Sequence, residues 1–276
     1  MSNGRRPFPS KGAMQDLTSA AANLAVVIIT LNEQERLGLC LGALPAGVEI
    51  IVLDSGSSDR TCAIAASHGA HVATRAFTNF AEQKNFAIDM ATRPWVLSLD
   101  ADEVLDAQAI AALPGLTAAA EVAKNGFVAY RLRRRLVFLG RPLHFGKAVD
   151  RPIRLFRRGS ACFVSDIHEG LVVDGRVGQL PGEARHFSYA DLTDYFRRFN
   201  DYTSRVADNH RRMGRAQPFG LVHWLRPWFE FFYRYVVRLG FLDGYPGYVY
   251  ALISSLYTFI KYAKLKELTS AGKGPA

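Results

Sequence analysis

The segment WVLSLDADEVL, residues 95–105, is an apolar run that ends in a cluster of three carboxylates. Two similar runs precede it, LAVVIITLNE at 24–33 and VEIIVLD at 48–54. Their apolar residues are almost continuous, as in strands that are covered on both faces. Segments with helical spacing follow the runs, including ERLGLCLGAL, TCAIAASHG and NFAEQKNFAIDMA. The short segment HVATRAF is strand-like. This alternation predicts an α/β fold with a parallel sheet.

Polar residues follow each of these strands. In open parallel sheets, ligands bind beyond the carboxyl ends of the strands. Three polar clusters are therefore expected to face one crevice. They are Thr30, Asn32 and Glu33 after the first strand, Asp54 to Asp59 after the second, and Asp100 and Asp102 after the third.

The DAD tripeptide has a chemical interpretation in that crevice. Residues two apart in extended chain point to the same side, so Asp100 and Asp102 can reach one ligand or one cation. Carboxylate oxygens suit Mg²⁺ or Mn²⁺, which keeps positions open for phosphate oxygens. The alternative is that these carboxylates only cap the following helix.

The DSGSSD segment also has two interpretations. As a functional element, it puts Asp54 on the ribose or base edge of a nucleotide. As a structural element, it is a tight turn followed by a helix that Ser58 or Asp59 caps. Three acidic strand ends in one α/β unit favour a single nucleotide-sugar crevice.

Composition limits the classes of protein. The chain has 276 residues, a formal charge of +9 and three scattered cysteines, which are expected to be packing residues in a reducing compartment. The charge favours an anionic partner. Residues 1–22 lack the apolar core of a secretory signal, and we expect a flexible tail on a protein of the cytoplasm.

The motifs resemble those of the inverting glycosyltransferases of family 2. They are ITLNE at 29–33, VLDSGSSDRT at 52–61, QKNFA at 83–87 and LDADE at 99–103. The chain is most similar to the lipopolysaccharide core β-1,4-glucosyltransferase group. That likeness extends to IRLFRRG at 153–159, DIHEG at 166–170, RHFSYADL at 185–192 and GFLDGYPGYVYAL at 240–252.

The resemblance implies a GT-A fold and roles for the crevice residues. Residues Thr30, Asn32, Glu33, Asp54 and Asp59 would bind the nucleotide sugar, expected to be a UDP-hexose. Lys84 and Asn85 match positions near the donor, and Lys84 is a candidate phosphate contact, with an exposed helix lysine as the alternative. Asp100 would hold the donor, Asp102 would bind Mg²⁺ or Mn²⁺ with Asp100, and His186 is a further candidate ligand.

Inversion requires a base that takes the proton of the acceptor hydroxyl. In this family the base is usually an acidic residue downstream of the metal motif. Glu169 is the best match, and Asp166 is the second candidate. His168 could orient the base, or it could be an ordinary hydrogen-bonded histidine.

A basic stretch runs from Arg131 to Arg158, with Asp150 as its single acidic residue. It is either a solvated surface or a recognition element for an acceptor that carries phosphates or acidic sugars. Aromatic residues are not interleaved with these arginines as in a stacking platform, so nucleic acid is not an expected partner.

The chain changes character after about residue 190. An Arg-rich amphipathic helix is predicted first, and from Phe219 the sequence becomes aromatic and apolar. Its uncharged run, 244–260, is short of the roughly 20 residues of a spanning helix. We expect a GT-A domain at 23–190 and a helical region at 191–276 that lies on the inner face of the plasma membrane or packs on the enzyme.

The expected function is transfer of a hexose, with glucose favoured, from a nucleotide sugar to a lipopolysaccharide or lipooligosaccharide core acceptor. A polyprenyl-phosphate or other envelope-glycan sugar transferase of the same family is the alternative. A non-catalytic glycan-binding protein would not need both the DAD tripeptide and the downstream His-Glu pair. A sugar nucleotidyltransferase would carry a Gly-rich, Arg-containing loop where TLNEQER stands here.

Overall fold

The computed structural model describes residues 22–164, 170–214 and 221–271. The candidate bases Glu169 and Asp166, and the orienting His168, lie outside the described residues. No helix in the described part of the chain combines the length and the apolarity that crossing a bilayer requires.

The elements of the sheet half that carries the motifs are β1 (Leu24–Thr30), α1 (Leu37–Gly42), β2 (Glu49–Asp54), α2 (Thr61–Ser67), β3 (His71–Thr74), α3 (Phe80–Met90), β4 (Trp95–Asp100) and β5 (Glu103–Leu105). The elements that follow are α4 (Ala107–Thr117), α5 (Ala119–Asn125), β6 (Phe127–Phe138), β7 (Arg141–Pro142), β8 (Val149–Asp150), β9 (Ile153–Arg157), β10 (Ala161–Val164), β11 (Gly170–Val173) and β12 (Arg176–His186). The C-terminal elements are α6 (Leu192–Arg212), α7 (Leu221–Phe232), a π-helical turn (Tyr233–Val237), a 3₁₀ turn (Gly240–Asp243) and α8 (Gly244–Ala271).

The large sheet has the strand order β3-β2-β1-β4-β9-β6-β12-β5, and β7 and β8 pair with β6. Strands β3, β2, β1 and β4 are parallel neighbours, which confirms the predicted parallel α/β arrangement for this half. Strand β9 continues the sheet antiparallel to β4. Strands β10 and β11 form a separate hairpin.

The apolar runs form strands because both of their faces are buried. Alternate residues of β1 enter two different core clusters: Leu24, Val26 and Ile28 pack in one, and Ala25 and Val27 in the other. Successive side chains of a strand point to opposite faces, so both faces of β1 are covered. That explains why the run is continuous rather than alternating.

Two local predictions differ from the structure. Helix α2 begins at Thr61 after Arg60, without a side-chain cap, so neither Ser58 nor Asp59 is its N-cap. The Asp59 carboxylate still accepts a hydrogen bond from the Thr61 amide at 2.9 Å. Of the cysteines, Cys40 is buried as expected, but Cys162 is exposed and is not a packing residue.

The chain divides into two compact units, and the division falls inside β6. The first unit extends to Arg134 and resumes from Arg151 to His186, and the second contains Arg135–Asp150 and the chain from Phe187. The predicted helical region is present in the second unit. Its core holds Leu136, Phe138 and Leu143 from the 135–150 segment together with Tyr195 and Ile253. The sequence did not predict that this segment joins the C-terminal helices.

Candidate active site

The carboxyl ends of three parallel strands lie side by side in the first unit. Thr30 at the end of β1 is the Cα partner of Asp54 in β2, and Ile29 is the partner of Asp100 in β4. The three predicted polar clusters therefore begin at the same edge of the sheet.

Asp54 is buried and organises the turn after β2. Its Oδ2 accepts hydrogen bonds from the amides of Gly56, at 2.8 Å, and Ser57, at 2.7 Å. Thr30 Oγ1 donates to Oδ1 at 3.1 Å. Burial by itself would raise the pKa of Asp54, but the hydrogen bonds from Ser57, Gly56 and Thr30 outweigh it and lower the pKa. The site thus keeps a negative charge here.

The loops after β1 and β2 are joined by reciprocal hydrogen bonds. The backbone amide of Asn32 donates to Ser57 Oγ at 2.8 Å, and the backbone amide of Ser58 donates to the side-chain Oδ1 of Asn32 at 2.9 Å. Asn32 has a left-handed backbone, with φ 54°, a conformation that asparagine tolerates better than most residues. The backbone amide of Gln34 donates to Asp59 Oδ2 at 3.2 Å. Hydrogen bonds therefore join the predicted donor residues of both loops into one surface.

Glu33 is held by hydrogen bonds to Thr61 and to Arg36, the residue before α1. Its amide donates to Thr61 Oγ1 at 2.8 Å. Its two carboxylate oxygens accept from Arg36, Nε at 2.7 Å and NH2 at 3.0 Å. This bidentate pair holds the Glu33 side chain in one orientation.

Lys84 and Asp100 form a partly buried ion pair at the end of β4. Nζ of Lys84 lies 2.9 Å from Oδ1 of Asp100. Lys84 is only 8% exposed, so the alternative of an exposed helix lysine is wrong. Its role as a phosphate contact stays a prediction. The neighbouring Asn85 uses both ends of its amide on Phe163, accepting from the backbone N–H at 2.9 Å and donating to the carbonyl at 2.8 Å.

Three further charged residues belong to this network and were not predicted as site residues: Glu103, Arg134 and Arg154. Glu103 is fully buried, and Arg154 is 4% exposed. Arg154 donates to Oδ2 of Asp100 at 2.6 Å and to Oε1 of Glu103. Arg134 donates to the same Glu103 oxygen at 3.0 Å. Burial favours a raised pKa for Asp100, but the charges of Arg154, Lys84 and Arg134 prevail, and its pKa is lowered.

Asp102 has different surroundings from Asp100. Strand β4 ends at Asp100, and residues 101 and 102 form a turn into β5. The premise that the DAD tripeptide is extended, with both carboxylates on one side, is therefore wrong. After this turn, Glu103 in β5 pairs with His186 in β12.

Asp102 and His186 fit a divalent cation. Nε2 of His186 lies 3.3 Å from Oδ2 of Asp102. Burial raises the pKa of Asp102, but the interaction with His186 outweighs it, and the pKa is lowered. Oδ1 of Asp102 is buried and has no hydrogen-bond partner among the described residues. Buried carboxylate oxygens rarely lack a partner, and an ion would satisfy this one.

The described residues do not form a complete metal cage. They contain no group of three or more histidine, cysteine, aspartate or glutamate side chains placed to hold an ion. Both carboxylate oxygens of Asp100 contact cationic side chains. The remaining candidate metal ligands among the described residues are Asp102 and His186. Mg²⁺ and similar ions often bind through one or two protein ligands plus substrate phosphates and water, so this small set is compatible with such an ion.

A cavity of about 360 Å³ lies beside Asp100. Its charged lining consists of Asp100 with Lys84, Arg131, Arg134 and Arg154, and Phe163 and Leu171 contribute apolar surface. The cationic side chains of this lining outnumber the carboxylates, Asp100 and the adjoining Glu103, so the cavity has a net positive charge. For Arg134 and Arg154, the interpretation of the basic stretch as a merely solvated surface is wrong, since both contact buried carboxylates.

The described residues on either side of segment 165–169 are close to residues that line this cavity. Val164 in β10 and Gly170 in β11 are Cα partners of one another. Asn85 anchors β10 through Phe163, and Phe163 lines the cavity. The predicted bases belong to the segment that joins these two strands, and their role stays a prediction.

Comparison with known proteins gives a consistent result. The family model described as Glycosyl transferase family 2 matches residues 25–137. The lipopolysaccharide core biosynthesis glycosyltransferase LpsC of Rhizobium meliloti (strain 1021) is 30% identical over 258 residues, covering 88% of this chain and 92% of the relative. An uncharacterized glycosyltransferase of Rickettsia typhi is 27% identical over 259 residues, covering 89% of this chain and 87% of the relative. Among solved structures, glucosyl-3-phosphoglycerate synthase from Mycobacterium tuberculosis aligns with a TM-score of 0.35 and 21% identity, over 50% of this chain and 51% of that chain.

Proposed function

Because the chain belongs to glycosyltransferase family 2 and has a GT-A fold, we propose that it transfers a hexose from a nucleotide sugar to a lipopolysaccharide or lipooligosaccharide core acceptor, with inversion. Glucose from a UDP donor is the favoured reaction. The observation that supports the proposal most is the convergence of Thr30, Asp54 and Asp100 at one edge of the sheet. The name of the Rhizobium meliloti relative supports the class of acceptor.

The donor is proposed to bind against the joined loops after β1 and β2. The hydrogen bonds among Asn32, Ser57 and Ser58 fix that surface before the ligand arrives, so little entropy is lost on binding. Asp54 would face the ribose or base, and Thr30, Glu33 and Asp59 would support it. The Lys84–Asp100 pair would lie at the diphosphate and sugar end.

Asp102, with His186, is the proposed metal position. A Mg²⁺ or Mn²⁺ ion held there would offset the charge that develops on the diphosphate leaving group. Asp100 is neutralised by Lys84 and Arg154, so its proposed task is to orient the donor sugar by accepting hydrogen bonds.

Glu169 is the proposed general base, with Asp166 as the second candidate. The base takes the proton from the acceptor hydroxyl as its oxygen attacks the anomeric carbon in line with the leaving diphosphate. Substitution Glu169→Gln is expected to abolish transfer while donor-dependent thermal stabilisation persists. Loss of transfer in Asp166→Asn with normal transfer in Glu169→Gln would reverse the assignment.

The reaction is proposed to take place at the inner face of the plasma membrane. The aromatic and basic side chains of the second unit support this location. Deletion from about residue 219 would test it poorly, because α8 contributes Tyr262 and Leu265 to a buried cluster with Ala207 of α6. Surface substitutions leave that core intact and are the better test.

The decisive experiment measures release of nucleoside diphosphate. The full chain is incubated with a panel of nucleotide sugars, Mg²⁺ or Mn²⁺, and either a lipopolysaccharide core acceptor or polyprenyl phosphate. Acceptor-dependent release with the core acceptor is the expected result. Release with polyprenyl phosphate alone would replace the proposed acceptor, and glycan binding without any release would indicate a non-catalytic protein.

A further inference from the structure

The second unit exposes an unusually apolar surface along α7 and the turn that follows it. Trp224, Trp228, Phe232 and Val236 recur at intervals of four residues, and Trp228 is 75% exposed. Residues four apart lie on the same face of an α-helix, so Trp224, Trp228 and Phe232 share one face of α7, and Val236 follows in the π-helical turn. The next turns add exposed Leu239, Phe241, Leu242 and Tyr245. We call these eight residues the apolar stripe. Clustered exposure of large apolar side chains of this kind is typical of an interaction site.

A cavity of about 320 Å³ lies beside this stripe at Leu239, within the second unit. Two cationic side chains, Lys147 and Arg238, line it beside Val237 and Leu239, and no acidic residue is among its lining residues. The cavity therefore combines positive charge with apolar surface from the stripe and its immediate neighbour.

The cavity is built from two segments that hold each other. The Gly146 amide donates to the Arg238 carbonyl at 3.0 Å, and Arg234 donates to the Gly146 carbonyl at 3.2 Å. Lys147 and Leu239 have left-handed backbones, with φ 67° and φ 57°. Residues other than glycine are held in this conformation only where the surroundings enforce it, often at functional sites.

The two cationic side chains differ in whether a carboxylate of the protein already pairs with them. Nζ of Lys147 lies 3.8 Å from Oε1 of Glu230 and 4.6 Å from the centroid of the Tyr233 ring. The Arg238 guanidinium lies 5.9 Å from the same ring, and no carboxylate in the described ranges forms an ion pair with it. Arg238 is exposed, so its charge is available to an external anion.

We propose that this cavity binds the phosphate group of an anionic phospholipid while the apolar stripe enters the headgroup boundary of the bilayer. Aromatic side chains with arginine and lysine beside them suit that boundary, where apolar rings and positive charge are both stabilised. A protein partner would explain the apolar stripe but gives no reason for a cationic cavity beside it. The proposal rests on the membrane location proposed above and adds a lipid class and a binding site to it.

The test compares binding of the full chain to vesicles of phosphatidylcholine alone and of phosphatidylcholine mixed with phosphatidylglycerol. The variant Lys147→Gln/Arg238→Gln neutralises the cavity. The matched control, Lys124→Gln/Arg157→Gln, removes one lysine and one arginine that are exposed in the first unit. Because each cation near an anionic surface contributes about 1 kcal/mol, we expect about a thirty-fold loss of affinity for the mixed vesicles in the cavity variant. The control is expected to bind as the unmodified chain does.

Further arms separate the sources of binding. Trp228→Gln is expected to weaken binding to both vesicle types, since it removes apolar contact rather than charge. Equal losses in the cavity variant and the control would mean that binding follows net charge, and the headgroup site would be rejected. Competition by soluble glycerol phosphate at the same affinity as the vesicles would identify a free-phosphate site instead. Dimerisation that Trp228→Gln abolishes would assign the stripe to a second copy.

The outcomes distinguish this proposal from the location on which it rests. If the unmodified chain binds neither vesicle type, the membrane location and the headgroup site both fail. If it binds both types equally, the location survives and the headgroup site is overturned. Thermal unfolding of each variant, with and without nucleotide sugar, verifies that the fold and the donor site are intact.

Discussion

A guanidinium nitrogen of Arg154 lies 2.6 Å from Oδ2 of Asp100, and this ion pair joins β9 to the end of β4. Lys84 occupies the other carboxylate oxygen of Asp100. The first aspartate of the DAD tripeptide is therefore neutralised by protein cations, whereas Asp102 keeps an oxygen without a described hydrogen-bond partner. The two aspartates thus have different surroundings, which supports the different tasks proposed for them, orientation of the donor by Asp100 and ion binding by Asp102.

Replacing Arg154 with methionine is expected to destabilise the fold strongly. The change leaves Glu103, which is fully buried, with a weakened set of positive partners. Removing one partner of a buried ion pair costs about 3–5 kcal/mol. Urea unfolding monitored by circular dichroism measures this change in the free energy of unfolding.

Arg157→Met is the matched control for this prediction, because Arg157 lies on the same strand and is exposed. Its effect is expected to stay within about 0.5 kcal/mol. In the double variant Glu103→Gln/Arg154→Met the loss should be smaller than the sum of the single losses, since neither charge is then left alone. If Arg154→Met is as stable as Arg157→Met, the network does not stabilise the fold.

Asp102→Asn is expected to remove metal-dependent activity and to leave the fold intact. Stabilisation of leaving-group charge by a metal ion is worth several kcal/mol, so turnover should fall by roughly a hundredfold or more. Thermal stabilisation by Mn²⁺ with nucleotide sugar should disappear as well. The control is Asp201→Asn, an exposed carboxylate on α6. Full turnover of Asp102→Asn in metal-free buffer would refute the assignment.

The first half of the fold could be predicted because its determinants are local. Continuous apolar runs, helical spacing between them and polar residues at their ends define β1, β2 and β4, and parallel pairing then brings Thr30 and Asp54 together. The later motifs gave candidate residues but no geometry. Asp166, His168 and Glu169 lie outside the described residues, so the resemblance alone supports them.

The buried ion network could not be predicted because its partners are distant in the sequence. Glu103 and Arg154 are 51 positions apart: Arg154 is in β9, which pairs with β4, and Glu103 is in β5, which follows β4 after a two-residue turn. An arginine inside the apolar run IRLF was the available signal, since a charge in a buried strand needs a partner. Nothing in the local pattern identifies which carboxylate that partner is.

Gly182→Ala is expected to destabilise the packing of β12 on α4. Gly182 has φ +83°, and a Cβ atom there would lie 2.4 Å from the Ala109 amide nitrogen, a backbone atom that cannot move aside. Left-handed strain and overpacking together predict a loss of roughly 2–5 kcal/mol. Gly115→Ala in α4 meets nothing within 4 Å and is expected to be neutral or stabilising by up to about 1 kcal/mol. Equal melting temperatures for the two variants would contradict the close approach.

The lowered pKa of Asp54 predicts that the folded chain loses stability in acid. Burial would raise its pKa, but the hydrogen bonds from Ser57, Gly56 and Thr30 prevail and hold the pKa below the usual 3.8. A carboxyl with a lower pKa in the folded than in the unfolded chain stabilises the fold above pH 3.8, and this contribution is lost as the pH falls from there through the folded-state pKa. Asp54→Asn keeps the shape but does not titrate, so its free energy of unfolding should be lower at pH 7 and should fall less between pH 7 and acid. Urea titrations over this range measure both slopes, and parallel curves for the two proteins would show that Asp54 titrates alike in the folded and unfolded chains.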